Sequence, residues 1–547
     1  MNFIANESAQ KLRGGFYTDN DIASFLARWV MQIKPKSLLE PSCGDGAFLA
    51  AAAEADPGSL RLLFGCELDA AEAAKAKQRT RGQTKSQVEI HDGDFLRWFL
   101  FRSPEEPRFD AVLGNPPFIR YQYLPDEQQL LAEKVFARFG LPFTKHTNAW
   151  VPFIIASLSL LAPGGRMAMV IPSEIFHIPH AQSLRRFLAA QCSRVLVFDP
   201  EELWFDDALQ GVVLLLAEKK RLPTDKSWGV AVQPVESRAV LTENAAKYFD
   251  EGDYINGESI EGKWMPVFLT KRERALLKGL RSSEGIAPFV KIASVDVGIV
   301  TGANKFFLVP DAVVREHGME RWSHPMFGRS DHVAGLIYDE ANHEANRDAG
   351  LPTNFLWFEA EDMDRYPARV QDYLRSGEKE GLPGRYKCSV RTPWFKVPSV
   401  YTSPVAMLKR AHHFPRLVLN RFGAYSTDTA YRIHPLECSA ESLVYSFFNS
   451  LTCLCAELEG RHYGGGVLEL VPSEIERLLL PKFNATERQV RDLDEKFRAA
   501  DVPSGLLPIQ DAKILTSVGL SKSDAAMLHS AWSRLRNRRQ RVSSQPD

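Results

Sequence analysis

Between residues 37 and 219 the chain keeps switching its hydrophobic period. Short runs that are apolar on both faces alternate with stretches whose apolar residues recur at helical spacing. The runs are SLLEPS (37–42), LRLLFGCELD (60–69), VEIHDGDF (88–95), FDAVLGN (109–115), RMAMVIP (166–172), RVLVFD (194–199) and GVVLLLAEK (211–219). A strand apolar on both faces has to be covered on both, and helices between successive strands supply the cover. The pattern therefore predicts an α/β fold on a doubly wound, largely parallel, Rossmann-like sheet. A helix is predicted ahead of the first strand. Ile22, Phe25, Leu26, Trp29, Val30 and Ile33 share one face of it, with Thr18 or Asp19 as N-cap. Sheets of this kind bind ligands beyond the carboxyl ends of their strands.

Those ends hold the unusual residues. The first strand runs into Glu40-Pro41-Ser42-Cys43-Gly44-Asp45-Gly46, a tight turn opening a helix. Its glycines let backbone approach a ligand with no Cβ in the way. The second strand ends at Glu67, placed to accept from ribose hydroxyls. The third ends at Asp94-Phe95, a carboxylate suited to an adenine amino group beside a ring suited to stacking. The fourth ends in Asn115-Pro116-Pro117-Phe118. The turn lacks the G-K-[ST] of a phosphate-binding loop and the third glycine of a dinucleotide fingerprint, so a nucleoside without a pyrophosphate fits better.

This series resembles the γ class of S-adenosylmethionine-dependent DNA adenine methyltransferases. FYTDNDIA (16–23) is similar to that family's N-terminal cofactor motif, LLEPSCGDGAFL (38–49) to its E-P-x-x-G-x-G motif and GCELD (65–69) to its ribose-binding acid. GDF (93–95) is similar to its adenine-binding motif, NPPF (115–118) to its catalytic [DNS]-P-P-[YFW] and LAPGGRMAMVIPSEIF (161–176) to its later strand. The resemblance implies S-adenosylmethionine as cofactor, held by Tyr17, Thr18, Glu40, Ser42, Cys43, Gly44, Asp45, Gly46, Glu67, Leu68, Asp94, Phe95 and Asn115. It implies catalysis by Asn115, Pro116, Pro117 and Phe118, with Phe205 as a second ring against the base. Trp204 is the alternative for that ring. Phe118 stands where tyrosine is common in the family, so stacking is kept and a hydroxyl contact is lost.

The NPPF chemistry can be argued from the residues. An exocyclic amine on adenine is a poor nucleophile because its lone pair is delocalised into the ring. Two fixed acceptors aimed at its hydrogens, the side-chain oxygen of Asn115 and the carbonyl of Pro116, would draw it toward tetrahedral geometry. The prolines constrain the residues before them to extended backbone and remove a competing N–H. Phe118 would stack on a base rotated out of the duplex. The motif alone does not choose a substrate, since cytosine N4, RNA bases and the glutamine side chain of release factors present a similar planar amino group. An inactive specificity subunit on the same fold is the alternative from another class.

The choice of DNA comes from further along. At 547 residues the chain exceeds what one hydrophobic core organises, and two domains are expected: a catalytic domain over 1–225 and a target-recognition domain over 226–547 with a helical end and basic tail. Net charge is −1, so affinity for a polyanion has to arise locally. From Arg385 to Arg421 there are eight basic residues and no Asp or Glu. Arg385, Lys387, Arg391, Lys396, Lys409, Arg410 and Arg421 are therefore expected DNA contacts, with Tyr386, Trp394, Phe395 and Tyr401 interleaved to stack or line a cleft. Lys145 and Tyr463 are added as DNA-binding residues, and Arg534, Arg536, Arg538, Arg539 and Arg541 as a basic tail.

Double-stranded DNA is thus the expected partner, with a separately encoded restriction endonuclease, and the chain is expected to be a monomer. Seven cysteines without a C-x-x-C pair imply reduced thiols and no metal site. The absence of a 20-residue apolar span or a signal-type N-terminus implies a cytoplasmic protein without a membrane helix. Glu261-Gly262-Lys263 is an E-x-K triplet of the nuclease type with no P-D before it, read here as chance.

Overall fold

The computed structural model describes residues 18–202, 204, 211–256 and 262–541. Tyr17, Phe205 and Glu261 lie outside the described residues. Contacts divide the chain into two units, the first running to Phe268 and taking in Arg541 onward, the second Leu269–Gln540.

The first unit carries eight strands: β1 Ser37–Glu40, β2 Leu62–Glu67, β3 Gln87–Asp92, β4 Phe109–Gly114, β5 Leu161–Pro172, β6 Cys192–Pro200, β7 Val212–Lys219 and β8 Gly229–Val235. Their order is β3-β2-β1-β4-β5-β7-β6-β8. All neighbours are parallel except β7, which runs antiparallel to both β5 and β6. The order reverses between β1 and β4, which opens a crevice beyond their carboxyl ends. The predicted first helix spans Asn20–Met31 and buries Ile22, Phe25, Leu26, Trp29 and Val30. Burial of a large apolar side chain of this kind is worth about 1.5–3 kcal/mol.

The first unit continues past residue 225. Strand β8 hydrogen-bonds to β6 along its whole length. The helix Ala245–Glu251 sends Phe249 against Trp29, with ring centroids 4.8 Å apart. The sequence GVAVQPV reads poorly as a strand because of Pro234, but β8 lies at the sheet edge, where a missing N–H leaves no central ladder broken.

The second unit is built on a five-stranded sheet. Ala293–Val297 forms one edge, followed by Ala430–Pro435, Val405–Leu408, Leu417–Asn420 and Ile337–Tyr338. Beside it is an aromatic core that includes Phe306, Phe307, Tyr366, Tyr373, Trp394 and Phe395. Helices Glu487–Ala499, Leu507–Ser517 and Lys522–Gln540 make up its C-terminal end. Among the described residues no helix is long and apolar enough to cross a membrane.

Candidate active site at the carboxyl ends of β1 to β4

Leaving β1, the chain turns through two left-handed glycines, Gly44 at φ 50° and Gly46 at φ 85°. The Gly44 N–H donates to Glu67 Oε2 at 2.8 Å, and the Asp69 N–H donates to Oε1 at 2.9 Å. One carboxylate at the end of β2 therefore shapes the β1 loop and keeps lone pairs for further donors such as ribose hydroxyls. Leu68, beside it, is 59 % exposed. Cys43 is buried, and its N–H donates to the Cys66 carbonyl at 2.8 Å, so it serves the turn through its backbone.

Glu40 is almost fully buried and accepts from the Leu49 N–H at 3.1 Å. Burial holds its carboxyl well above the usual carboxylate range. The Leu49 N–H opposes that shift, and the neighbouring Asp45 and Glu67 add to it. Asp45 is paired with Arg79 at 2.6 Å, and Arg79 also donates to Asn20 at 2.8 Å. Arg79 went unseen in the sequence because it lies in an alanine-rich helix with no motif around it. Asp45 is taken up by Arg79, and Glu67 has no cationic partner among the described residues, so its carboxylate makes this end of the crevice favourable to a cation. S-adenosylmethionine carries an amino group and a sulfonium. A Cβ built on Gly44 would meet nothing within 4 Å, so the backbone there borders open space that a ligand can approach closely. The residues present fit the cofactor.

Asn115 follows β4 directly. Its side-chain NH2 donates to Thr18 Oγ1 at 3.2 Å, which turns the amide oxygen away from Thr18. Its backbone carbonyl accepts from Ser42 Oγ at 3.0 Å. Thr18 and Ser42, read from sequence as cofactor residues, thus also hold the loop that carries Asn115. Pro116 is buried, Pro117 is half-buried, and Phe118 is half-buried against the core of the unit. The next segment is tied down as well: the Ala149 N–H donates to the Ile119 carbonyl at 2.8 Å, and Asn148 Nδ2 donates to Glu174 Oε2 at 2.9 Å. Glu174 belongs to the PSEIF end of β5, whose strand-end position was the available signal.

Asp94 caps the helix Phe95–Phe101 by accepting from the Arg97 N–H at 2.8 Å. The open ring face expected at Phe95 is not what the structure has. Phe95 is buried, with its ring 5.2 Å from Phe153 and 6.1 Å from Trp98, because the strand end turns at once into a helix whose apolar residues point inward. Trp204, the alternative second ring, is also buried.

The basic run of the second unit loses its isolation in space. Glu469 meets Lys409 at 3.4 Å and Arg410 at 2.8 Å, Arg421 lies 3.3 Å from both Glu441 and Glu487, and Lys396 pairs with Glu361. Arg391 donates to the Thr301 carbonyl at 2.8 Å, and burial lowers its basicity. Trp394 and Phe395 are core residues, and Tyr401 lies under the Arg432 guanidinium at 3.4 Å. Arg410 and Tyr401 remain exposed despite these contacts, whereas Arg385 and Lys387 are outward with no acidic partner among the described residues, beside Tyr386, which is 75 % exposed with the Lys387 ammonium 5.3 Å from its ring. Tyr463 is 40 % exposed at the tip of the hairpin formed by Arg461–Tyr463 and Val467–Glu469. Lys145 is exposed on the loop before Ala149. The basic tail is corrected too: the helix runs to Gln540, Arg534 pairs with Glu273 at 2.8 Å, and Arg539 is buried on Glu457.

Comparison with known proteins agrees with this geometry. Residues 1–247 match the N-6 DNA Methylase family, and residues 261–515 match the C-terminal domain of Type II methyltransferase M.Eco57I. Type II methyltransferase M.AccI of Acinetobacter calcoaceticus is 23 % identical over 87 % of this chain and 87 % of its own length. M.XamI of Xanthomonas campestris pv. amaranthicola is 24 % identical over 86 % and 85 %. A cryo-EM structure of a DrdV–DNA complex shares the fold, with a TM-score of 0.50 at 12 % identity over 89 % of this chain and 58 % of that one. An α/β crevice built for a cationic nucleoside, an Asn-Pro-Pro-Phe loop at its switch point and two adjoining family matches lead to one conclusion: residues 1–247 of this chain belong to the N-6 DNA methylase family, whose cofactor is S-adenosylmethionine.

Proposed function

We propose that the chain transfers a methyl group to the exocyclic N6 amine of an adenine rotated out of a specific duplex DNA sequence. It would thereby serve as the modification part of a restriction–modification system. The observation that carries this reading is the double anchoring of Asn115, by Thr18 through its side chain and by Ser42 through its carbonyl. Bound S-adenosylmethionine supplies an electrophilic methyl on a sulfonium. The chain's own part is to hold two oxygens, Asn115 Oδ1 and the Pro116 carbonyl, where the amine's hydrogens will be. An acceptor fixed before the reaction needs no reorganisation during it, and Thr18 and Ser42 provide that fixing. Phe118, half-buried against the core of the unit, is the ring that would stack on the base. Motif order, with cofactor motifs ahead of NPPF and the long second unit last, is that of the γ class. Names of relatives such as M.AccI, M.XamI and M.PaeR7I support the Type II assignment. A separately encoded endonuclease and a monomeric state complete the proposal.

Asn115→Ala tests it. With labelled cofactor and separate pools of unmethylated DNA, RNA and release factor, the wild-type chain is expected to label DNA at adenine N6. The variant should fall by roughly 100-fold or more in rate, as when one charge-stabilising donor or acceptor is removed from an active site. Its cofactor affinity by calorimetry should fall far less than its rate, since the substitution leaves the Glu67 loop in place. Full activity in the variant, or label in RNA or release factor instead of DNA, overturns the reading.

A further inference from the structure

The turn that follows Phe118 is held more firmly than a surface loop requires. Tyr121, Leu124 and Ala149 form a small buried cluster of their own, with Ile119 and Phe143 packed against it. The Tyr121 ring meets Phe143 edge-on at 5.5 Å, and its hydroxyl donates to Glu133 at 2.7 Å. Gln129 Nε2 donates to the Leu124 carbonyl at 2.8 Å and to the Tyr121 carbonyl at 3.3 Å. With the Ala149–Ile119 hydrogen bond, these contacts fasten segments 119–125 and 143–149 into one piece directly after the catalytic loop.

What this piece turns outward carries no carboxylate. Arg120, Gln122 and Tyr123 project from the first segment, and Lys145 and His146 from the second. Tyr123 is 62 % exposed, so its ring gains little by folding and is available to a partner. Of the nearby acids, Glu127 pairs with Arg97 and Glu133 accepts from Tyr121, while Asp126 is exposed just past the first segment. Arg120 and Lys145 have no acidic partner among the described residues. Rigid backing, two unpaired cations and a bare aromatic ring next to a base pocket match the way proteins take hold of an opened nucleic acid, with charge on phosphates and a ring on a base.

We propose that Arg120, Tyr123 and Lys145 are positioning residues that grip duplex DNA beside the extruded adenine, the cations on backbone phosphates and the Tyr123 ring against the base adjoining the gap. This rests on the function proposed above and adds how the vacated stack is kept open. Extrusion costs unstacking and unpairing energy, least when the base has no partner, so the contribution of Tyr123 should depend on pairing.

The test uses the full chain and two duplexes carrying its mapped recognition sequence, one with the target adenine opposite thymine and one with it opposite an abasic site. Tyr123→Ala should methylate the paired duplex roughly tenfold more slowly than wild type, as expected for loss of one base-stacking ring. On the abasic duplex it should recover to within about twofold. Tyr123→Phe, which keeps the ring, should behave as wild type on both. Arg120→Ala and Lys145→Ala should each reduce the slope of log affinity against log salt by about one. Equal loss on the two duplexes, no loss on the paired one, or unaltered salt slopes overturns the proposal. If wild type methylates no DNA, it is the underlying function that fails.

Discussion

Arg539 belongs to a run of arginines that reads as a solvated basic tail, and in the fold it is among the most buried charges of the second unit. Its guanidinium meets Glu457 at 2.8 Å with both side chains fully buried, and it also donates to the carbonyls of His412, His413 and Gly466. Two charges taken out of water are tolerable only when paired and fully hydrogen-bonded, so removing one partner is costly. Arg539→Ala is therefore expected to destabilise the chain by about 3–5 kcal/mol. The double variant Arg539→Met, Glu457→Leu should recover part of that loss, both read by urea denaturation. A loss below about 1 kcal/mol, the range of an exposed pair, would contradict the buried assignment. Nothing in SRLRNRRQR distinguishes the buried arginine from the exposed ones, because its partner lies 82 residues earlier.

At the scale of the element, the turn between β1 and the helix Ala47–Glu54 concentrates the cofactor chemistry. Both of its left-handed glycines are strained by any side chain, but for different reasons. A Cβ on Gly46 would come within 3.0 Å of the Ala76 Cα, whereas one on Gly44 meets nothing within 4 Å. Each change to Ala costs about 1–2 kcal/mol of backbone conformation. Gly46→Ala adds an overpacking cost of about 1–3 kcal/mol. Thermal melts should therefore rank wild type above Gly44→Ala above Gly46→Ala. Calorimetric titration should show Gly44→Ala losing cofactor affinity by more than its modest melting shift suggests, since its methyl group enters the crevice. Equal melting losses would count against the Ala76 contact. This element was legible in the sequence because strand ends, glycines and acids follow the local rules of a βα turn. The Arg79–Asp45 pair and the Thr18 and Ser42 tethers on Asn115 were not, since each joins segments 34 to 97 residues apart.

At the scale of the whole molecule, an acid-free stretch of sequence is not an acid-free surface. Glu361, Glu441, Glu469 and Glu487 arrive from outside the Arg385–Arg421 run and neutralise Lys396, Lys409, Arg410 and Arg421. With a net charge of −1 overall, the cations left outward carry any counterion release on binding. The combined variant Arg385→Ala, Lys387→Ala should lower the salt slope of DNA binding by about two, while Lys409→Ala, Arg410→Ala should change it by well under one. DNA-binding titrations between low and moderate salt decide between them, and the reverse ranking would return the interface to the 409–421 segment.

The sequence by itself determined the doubly wound sheet, the first helix, the places where strands end and the chemistry gathered there. Hydrophobic period and turn residues are properties of a few neighbouring positions, and the NPPF resemblance named the reaction class. Only the tertiary structure decided that β7 runs antiparallel, that β8 extends the first unit to Phe268, that Phe95 is core and which basic residues remain available. Those outcomes depend on which distant segment supplies a hydrogen-bond ladder, a packing surface or a counter-charge, and no local window of the chain contains that partner.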